Sequence, residues 1–140
     1  MMKDQFDQIS LKNGFMKHDG GILFKTISES EYQFKATITE NHLNAAGITH
    51  GGFIAAFIDA GAGTAAHRSS NNSPCVTISL ELKFIAAVKL DQELVCNTKI
   101  QKKTKTMVFL TSELTVGNKI VATASGVWKI LKLIGAGPGG

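Results

Sequence analysis

The sequence predicts an α+β domain, an antiparallel curved sheet of about six strands wrapped around one long apolar helix. Three observations lead there. Residues Gly51 to Ala66 read Gly-Gly-Phe-Ile-Ala-Ala-Phe-Ile-Asp-Ala-Gly-Ala-Gly-Thr-Ala-Ala, apolar on every side of a helical wheel, and such a helix has to be buried all round. On both flanks apolar and polar residues alternate, which is the period of half-buried strands. The connections between those strands are of hairpin length, so the pairing is mostly antiparallel. Only a sheet that curls around the helix buries it on all sides, and a second copy of the sheet could cover what one copy leaves open.

The elements follow in order. Residues 3–16 hold Phe6, Ile9 and Phe15 at loosely helical spacing, a short amphipathic helix that Gly14 ends. Ile22 to Ser28 is rich in β-formers. Tyr32, Phe34, Ala36 and Ile38 then alternate strictly with Gln33, Lys35, Thr37 and Thr39, and Ser28-Glu-Ser-Glu31 is the turn between the two strands. A polar stretch from Glu40 to His50 precedes the apolar helix. Ser69 to Ser73 is a polar loop, after which Val76, Ile78, Leu80, Leu82 and Phe84 alternate with Thr77, Ser79, Glu81 and Lys83. Leu94 to Ile100, Met107 to Val116 and Ile120 to Leu131 are the remaining strands, and Gly117-Asn118 suits a tight hairpin turn between the last two. Residues 1–134 are expected to form a single domain, with 135–140 a flexible tail.

Composition narrows the function. The chain has 140 residues, 15.0 kDa and 44% hydrophobic content, enough for one core and too little for two domains. Charged residues at 19%, with 14 Gly and 2 Pro, exclude a disordered polyelectrolyte and a collagen-like chain. Gly51 to Ala66 contains an Asp and falls short of the roughly 18 apolar residues of a membrane span, so no membrane partner is expected. The N-terminus lacks the apolar run of a secretory signal, which makes the cytoplasm the expected location. A net charge of +4 is spread along the chain except at Lys99, Lys102, Lys103 and Lys105, and no nucleic-acid motif accompanies it. Such a mild positive field suits a polyanionic small molecule, a nucleotide or coenzyme A. Cys75 and Cys96 lie 21 positions apart without a CxxC pattern and read as free thiols that pack.

Asp59 is the ionisable residue inside the apolar run. Burying an unpaired carboxylate costs several kcal/mol, so its presence needs a reason. A neighbouring hydroxyl or a solvated notch would satisfy it without chemistry; a general base or nucleophile with a pKa raised by apolar surroundings is the functional reading. Gly51-Gly52 opens the same helix directly after His50. Two glycines there leave backbone N–H groups unobstructed, with the positive end of the helix dipole behind them, as an oxyanion hole requires. Eight residues at 1.5 Å rise separate Asp59 from the helix start by about 12 Å, too far for both to act on one carbonyl. A two-fold dimer with antiparallel central helices would bring Asp59 of one subunit toward Gly51 of the other.

Asn44-Ala-Ala-Gly47-Ile-Thr-His50-Gly51-Gly52, followed by six residues and Asp59, resembles the signature of PaaI-type acyl-CoA thioesterases of the hotdog fold. The resemblance implies that the Gly51 N–H holds the thioester oxygen and that Asn44 and His50 position the thioester and its leaving sulfur. It implies that Asp59 of the partner subunit attacks or activates water, helped by Thr77, and that the assembly is a homodimer or homotetramer. Gly52, Phe53 and the lysines Lys102, Lys103 and Lys105 complete the expected substrate-binding set; the lysines read most simply as a solvated strand end, with coenzyme A phosphates as the functional alternative. No cofactor is implied, since coenzyme A is part of the acyl-CoA substrate. The chain departs from the resemblance in Phe84-Ile-Ala-Ala-Val-Lys89-Leu-Asp91, since members of that family often have Pro near Ala87 and Gly near Asp91.

Other readings are weaker. Gly61-Ala-Gly63-Thr-Ala-Ala66 matches G-x-G-x-x-A with Glu81 about twenty residues on, but a dinucleotide fingerprint needs a strand before it and a full helix after it. His18, His42, His50 and His67 have no metal-ligand spacing, so no metal is expected. A non-catalytic acyl-CoA-binding or regulatory protein of the same fold is the alternative from another class, and a dehydratase fits the motif less well.

Overall fold

A computed structural model describes residues 5–132. The expected tail at 135–140 lies outside the described residues, as do the first two positions of the expected N-terminal helix. Within the rest of that segment the structure has a two-residue strand, β1 (Asp7–Gln8), and a single helical turn, α1 (Phe15–His18). Gly14 caps the start of that helix rather than its end. A helix this short needs an apolar face to bury, and Leu11 and Phe15 stay 68% and 65% exposed.

The other elements form where the alternation places them. They are β2 (Leu23–Thr26), β3 (Glu31–Thr37), a 3-10 turn (Glu40–His42), α2 (Gly51–Ser69), β4 (Cys75–Phe84), β5 (Glu93–Lys103), β6 (Met107–Val116) and β7 (Lys119–Ile130). The sheet is antiparallel throughout, in the order β1-β2-β3-β5-β6-β7-β4. Gly117 turns the β6–β7 hairpin at φ 60°, where a side chain would be strained. Among the described residues no helix is long and apolar enough to cross a membrane.

Two features of the expected architecture are corrected. The sheet has seven strands rather than about six, β1 being the addition. It is also open rather than wrapped around the helix, since its edges β1 and β4 do not pair with each other. It covers one side of α2. Phe53, Ile54, Phe57, Ile58, Ala62 and Ala66 are buried against it, at the spacing of one helical face, while Gly52 is exposed and Ala55, Ala56, Asp59, Ala60 and Gly63 stay half-buried. The uncovered residues are small. Ala and Gly count as apolar on a helical wheel but gain little from burial, so an all-apolar wheel did not require an all-round cover.

The layer between helix and sheet is aromatic. Phe53 stacks toward Phe57, Phe57 meets Phe34 at 5.0 Å between ring centroids, and Phe34 stacks on Phe24 at 5.8 Å. Gly61 sits over Phe34, where an added Cβ would come within 2.1 Å of the ring, and Gly63 lies beside Trp128. Both belong to the middle of α2, so the G-x-G-x-x-A match is helix packing and not a phosphate loop.

The loop from Ile85 to Gln92 closes back on β3, with the Asp91 N–H donating to the Ile38 carbonyl at 2.9 Å. Asp91 adopts φ 69°, the left-handed conformation that glycine takes without strain and that Asp is among the residues to tolerate.

Gly61→Ala should lower the unfolding free energy by about 1–3 kcal/mol, because the methyl has to displace a fully buried phenylalanine ring. Urea denaturation reads this, and an unchanged midpoint would mean that Phe34 gives way freely.

Candidate functional site

The site begins at the N-terminus of α2. His50 is the N-cap, and its Nδ1 accepts the Gly52 N–H at 2.7 Å. The tautomer follows: Nδ1 accepts, so the proton of the neutral ring sits on Nε2. The Phe53 N–H donates to the His50 carbonyl at 3.0 Å. Of the three N–H groups at the helix start, the Gly51 N–H is the one without a partner among the described residues, so one amide rather than two is open to a ligand.

The two glycines therefore differ. A Cβ on Gly52 would press on His50 Nδ1 at 2.9 Å and break the cap. A Cβ on Gly51 would meet the Phe84 ring at 3.4 Å, ordinary contact, and would stand in front of the open amide.

That amide faces a pocket of about 360 Å³ whose lining includes Asn44, Ile48, Gly51, Ile54, Phe84 and Ile85. Asn44 enters from a tight loop: its Oδ1 accepts the N–H groups of Ala46 at 2.9 Å and Ile48 at 3.3 Å, and Gly47 turns the loop at φ 81°. With its oxygen engaged, Asn44 has its side-chain NH2 to offer a ligand. Phe84 and Ile85 are 56% and 58% exposed, an apolar wall beside a helix N-terminus. Most of the lining side chains are apolar, with Asn44 and Thr49 as the polar ones, and the Thr49 hydroxyl is spent on the Val88 carbonyl.

Asp59 lies on the small-residue face of α2, half-buried, and β4 supplies its partner. The Thr77 hydroxyl donates to Asp59 Oδ1 at 2.6 Å. The register explains the pair: Thr77 lies opposite Trp128, on the face of the sheet turned toward α2, just before the bulge at Ile78. The sequence-level reading thus has Asp59 and Thr77 together, and Asn44, His50 and Gly51 together, in two places on one helix.

The remaining expected residues lie elsewhere. Phe53 is 7% exposed and turned into the core, and the first-turn residue that lines the pocket is Ile54. Lys102 and Lys103 end β5 opposite Phe109 and Val108, and Lys103 donates to the Ser69 carbonyl at the C-terminus of α2. These lysines and Lys105 lie at the far end of the helix from Gly51 in the same chain. Cys96 is wholly buried, and burial pushes its thiol up to about 12, which leaves it protonated and inert as a nucleophile. Sequence reasoning missed Ile48, Ile54 and the Phe84–Ile85 wall. The alternation of β4 put Phe84 on the helix-facing side, but only the loop that follows turns it into a pocket wall.

With this geometry in view, the model of the thioesterase superfamily matches residues 46–123, more than half of the chain. A candidate esterase of Pseudomonas aeruginosa is 34% identical over 94 residues, 66% of this chain and 70% of that protein. The mouse acyl-coenzyme A thioesterase 13 is 28% identical over 78 residues, and the match spans only 56% of each protein. The structure of the E. coli PaaI protein from the phenylacetic acid degradation operon superposes with a TM-score of 0.76 at 19% identity, covering 83% of each chain, a likeness of fold.

Gly52→Ala should cost about 1 kcal/mol through loss of the His50 cap. Thermal melts read the loss, and His50→Ala should give a similar one; additive losses in the double variant would mean that the two residues do not share one interaction.

Proposed function

The chain belongs to the thioesterase superfamily of the hotdog fold, and from that premise we propose that it is a PaaI-type acyl-CoA thioesterase, hydrolysing an acyl-CoA to the free acid and coenzyme A. The observation that supports this most is the unpartnered Gly51 N–H at an apolar pocket, on the same helix as a carboxylate held by a hydroxyl. The Gly51 N–H donates to the thioester oxygen, and this hydrogen bond gains strength as that oxygen becomes negative in the tetrahedral intermediate. The Asn44 amide and the His50 Nε2–H orient the thioester and its sulfur.

Asp59 of a second copy acts as base. Thr77 holds Oδ1, which leaves Oδ2 to take a proton from water while the water oxygen bonds to the acyl carbon. The carbon–sulfur bond then breaks, and the proton passes to the leaving thiolate. Balanced over the cycle, water and thioester become acid and thiol, and Asp59 returns to its starting state.

Two features of the single chain support the second copy. Asp59 and Gly51 stand about 12 Å apart along one helix axis, more than one carbonyl can bridge. The edge strand β4 has one neighbour, β7, and it carries Val76 at 45% and Ile78 at 50% exposure, an unprotected apolar edge of the kind that pairs with another strand. Pairing there would set the small faces of two α2 helices side by side, where Ala55 and Ala56 permit close approach. The assembly is thus a homodimer, or a homotetramer built from it, with two sites per dimer. Lys102, Lys103 and Lys105, remote from Gly51 of their own chain, then serve the phosphates of an acyl-CoA held by both copies.

Asp59→Asn should fold, keep or slightly raise its stability, and lose thioesterase activity on the order of 100-fold across a panel of acyl-CoAs followed with a thiol-trapping dye. Near wild-type turnover would make the Thr77–Asp59 pair a structural one and overturn the mechanism. Light scattering on the active protein should give a dimer or larger; an active monomer would remove the shared site.

A further inference from the structure

The best-fastened side chain near the site is one that the reaction does not touch. His42, the last residue of the 3-10 turn, is 3% exposed. Its Nδ1 accepts the Thr39 N–H at 2.9 Å, so that nitrogen carries no proton. Its Nε2 lies 2.6 Å from the Asp19 carbonyl oxygen, an acceptor only, so that nitrogen has to donate. The two partners together select one neutral tautomer, Nε2–H. The ring stacks on Phe53 with centroids 3.8 Å apart and planes at 21°, which ties it to the first turn of α2. On the main chain, the His42 carbonyl accepts the His50 N–H at 2.8 Å.

These contacts surround the loop that carries Asn44, His50 and Gly51. The loop leaves the turn at His42 and returns to it at His50, with Leu43 and Thr49 bridged between them. Residue 42 is therefore one anchor of the segment that carries Asn44 and the Gly51 N–H, beside Thr49, whose N–H and hydroxyl both donate to the Val88 carbonyl at 2.8 and 2.7 Å. We propose that His42 is a positioning residue, whose two ring hydrogen bonds and stacking hold the Asn44–Gly51 segment at the geometry in which its amides meet the substrate. The inference rests on the reading of Gly51 and Asn44 as substrate-holding groups. A bulky imidazole with both nitrogens spent resists rotation in a way that an aliphatic side chain of the same volume does not.

Two variants separate the ring from its hydrogen bonds. His42→Phe keeps a ring against Phe53 and loses both bonds; His42→Gln loses the ring but keeps an acceptor and a donor about as far apart as the imidazole nitrogens. His42→Phe should lower kcat about tenfold or more with KM within about threefold, as expected when a catalytic group is misplaced and the pocket is intact. Native-state amide exchange should quicken at Thr39 and His50 in that variant and stay unchanged in β6, and His42→Gln should recover part of both effects. Nitrogen NMR of the wild-type ring should show a protonated Nε2 and an unprotonated Nδ1 near neutral pH. Wild-type kcat and amide exchange in folded His42→Phe would overturn the proposal, as would a ring that exchanges between tautomers or a glutamine variant that folds without recovering exchange protection. If His42→Phe does not fold, the tautomer and the glutamine variant decide. If the wild-type protein hydrolyses no acyl-CoA, the thioesterase reading falls, and amide exchange still decides whether His42 fixes the loop.

Discussion

Much of the molecule depends on one packing relation, the bulky face of α2 laid on the inner face of an antiparallel sheet. Phe53, Ile54, Phe57 and Ile58 have no partner as large as the row of Phe24, Phe34, Leu110, Leu114 and Trp128 beneath them. Burial of such side chains is worth about 1.5–3 kcal/mol each, so the helix cannot roll about its axis without losing several of them. Its orientation fixes the rest: the start of the helix lies open at the pocket, and Asp59 meets Thr77 of the edge strand β4. Gly61 and Gly63 belong to the same relation, since they let the helix come down on Phe34 and Trp128.

The strands were legible because their pattern has a single cause. A residue on a strand with one wet face is either in or out, and the alternation of Tyr32 to Ile38 states which. In β4 the bulge at Ile78 breaks it, so that Thr77 faces the helix with Leu80 and Leu82 while Val76 and Ile78 stay exposed. The helix was legible in extent but not in surroundings. Its wheel is apolar on all sides, but all its bulky residues, Phe53, Ile54, Phe57 and Ile58, lie on the covered face, which Ala62, Ala65 and Ala66 continue. The open face at Ala55, Ala56 and Ala60 holds small residues alone, a difference of size that hydropathy class does not record. The N-terminal segment was misread for the opposite reason: Phe6, Ile9 and Phe15 gave a period without enough residues to bury.

The candidate site was legible in chemistry but not in division of labour. The motif from Asn44 to Asp59 contains Asn44 and Gly51, which line the pocket. It did not say that His50 consumes the Gly52 N–H, that Asn44 spends its oxygen on its own loop, or that Phe53 turns inward while Ile54 lines the pocket. Those are matters of which lone pair meets which N–H, and spacing along a chain does not carry them. Nor did spacing mark His42, because a buried histidine and a solvated one look alike until Thr39 and Asp19 are seen at its two nitrogens.

The hydroxyl on Asp59 bears on whether the carboxylate is there for structure or for chemistry. Thr77 occupies one oxygen, and a structural carboxylate in an apolar helix would be expected to have its second oxygen met as well, because an unpaired acceptor is costly once water is removed. Here the carboxylate is half-buried on a face that the sheet leaves uncovered, with Ala55, Ala56 and Gly63 around it and no second side-chain donor among the described residues. A protein selected only for stability would have lost little by placing alanine there, in line with its neighbours. On the proposed reading that half-satisfied carboxylate, held by one hydroxyl, keeps an oxygen free for a water molecule.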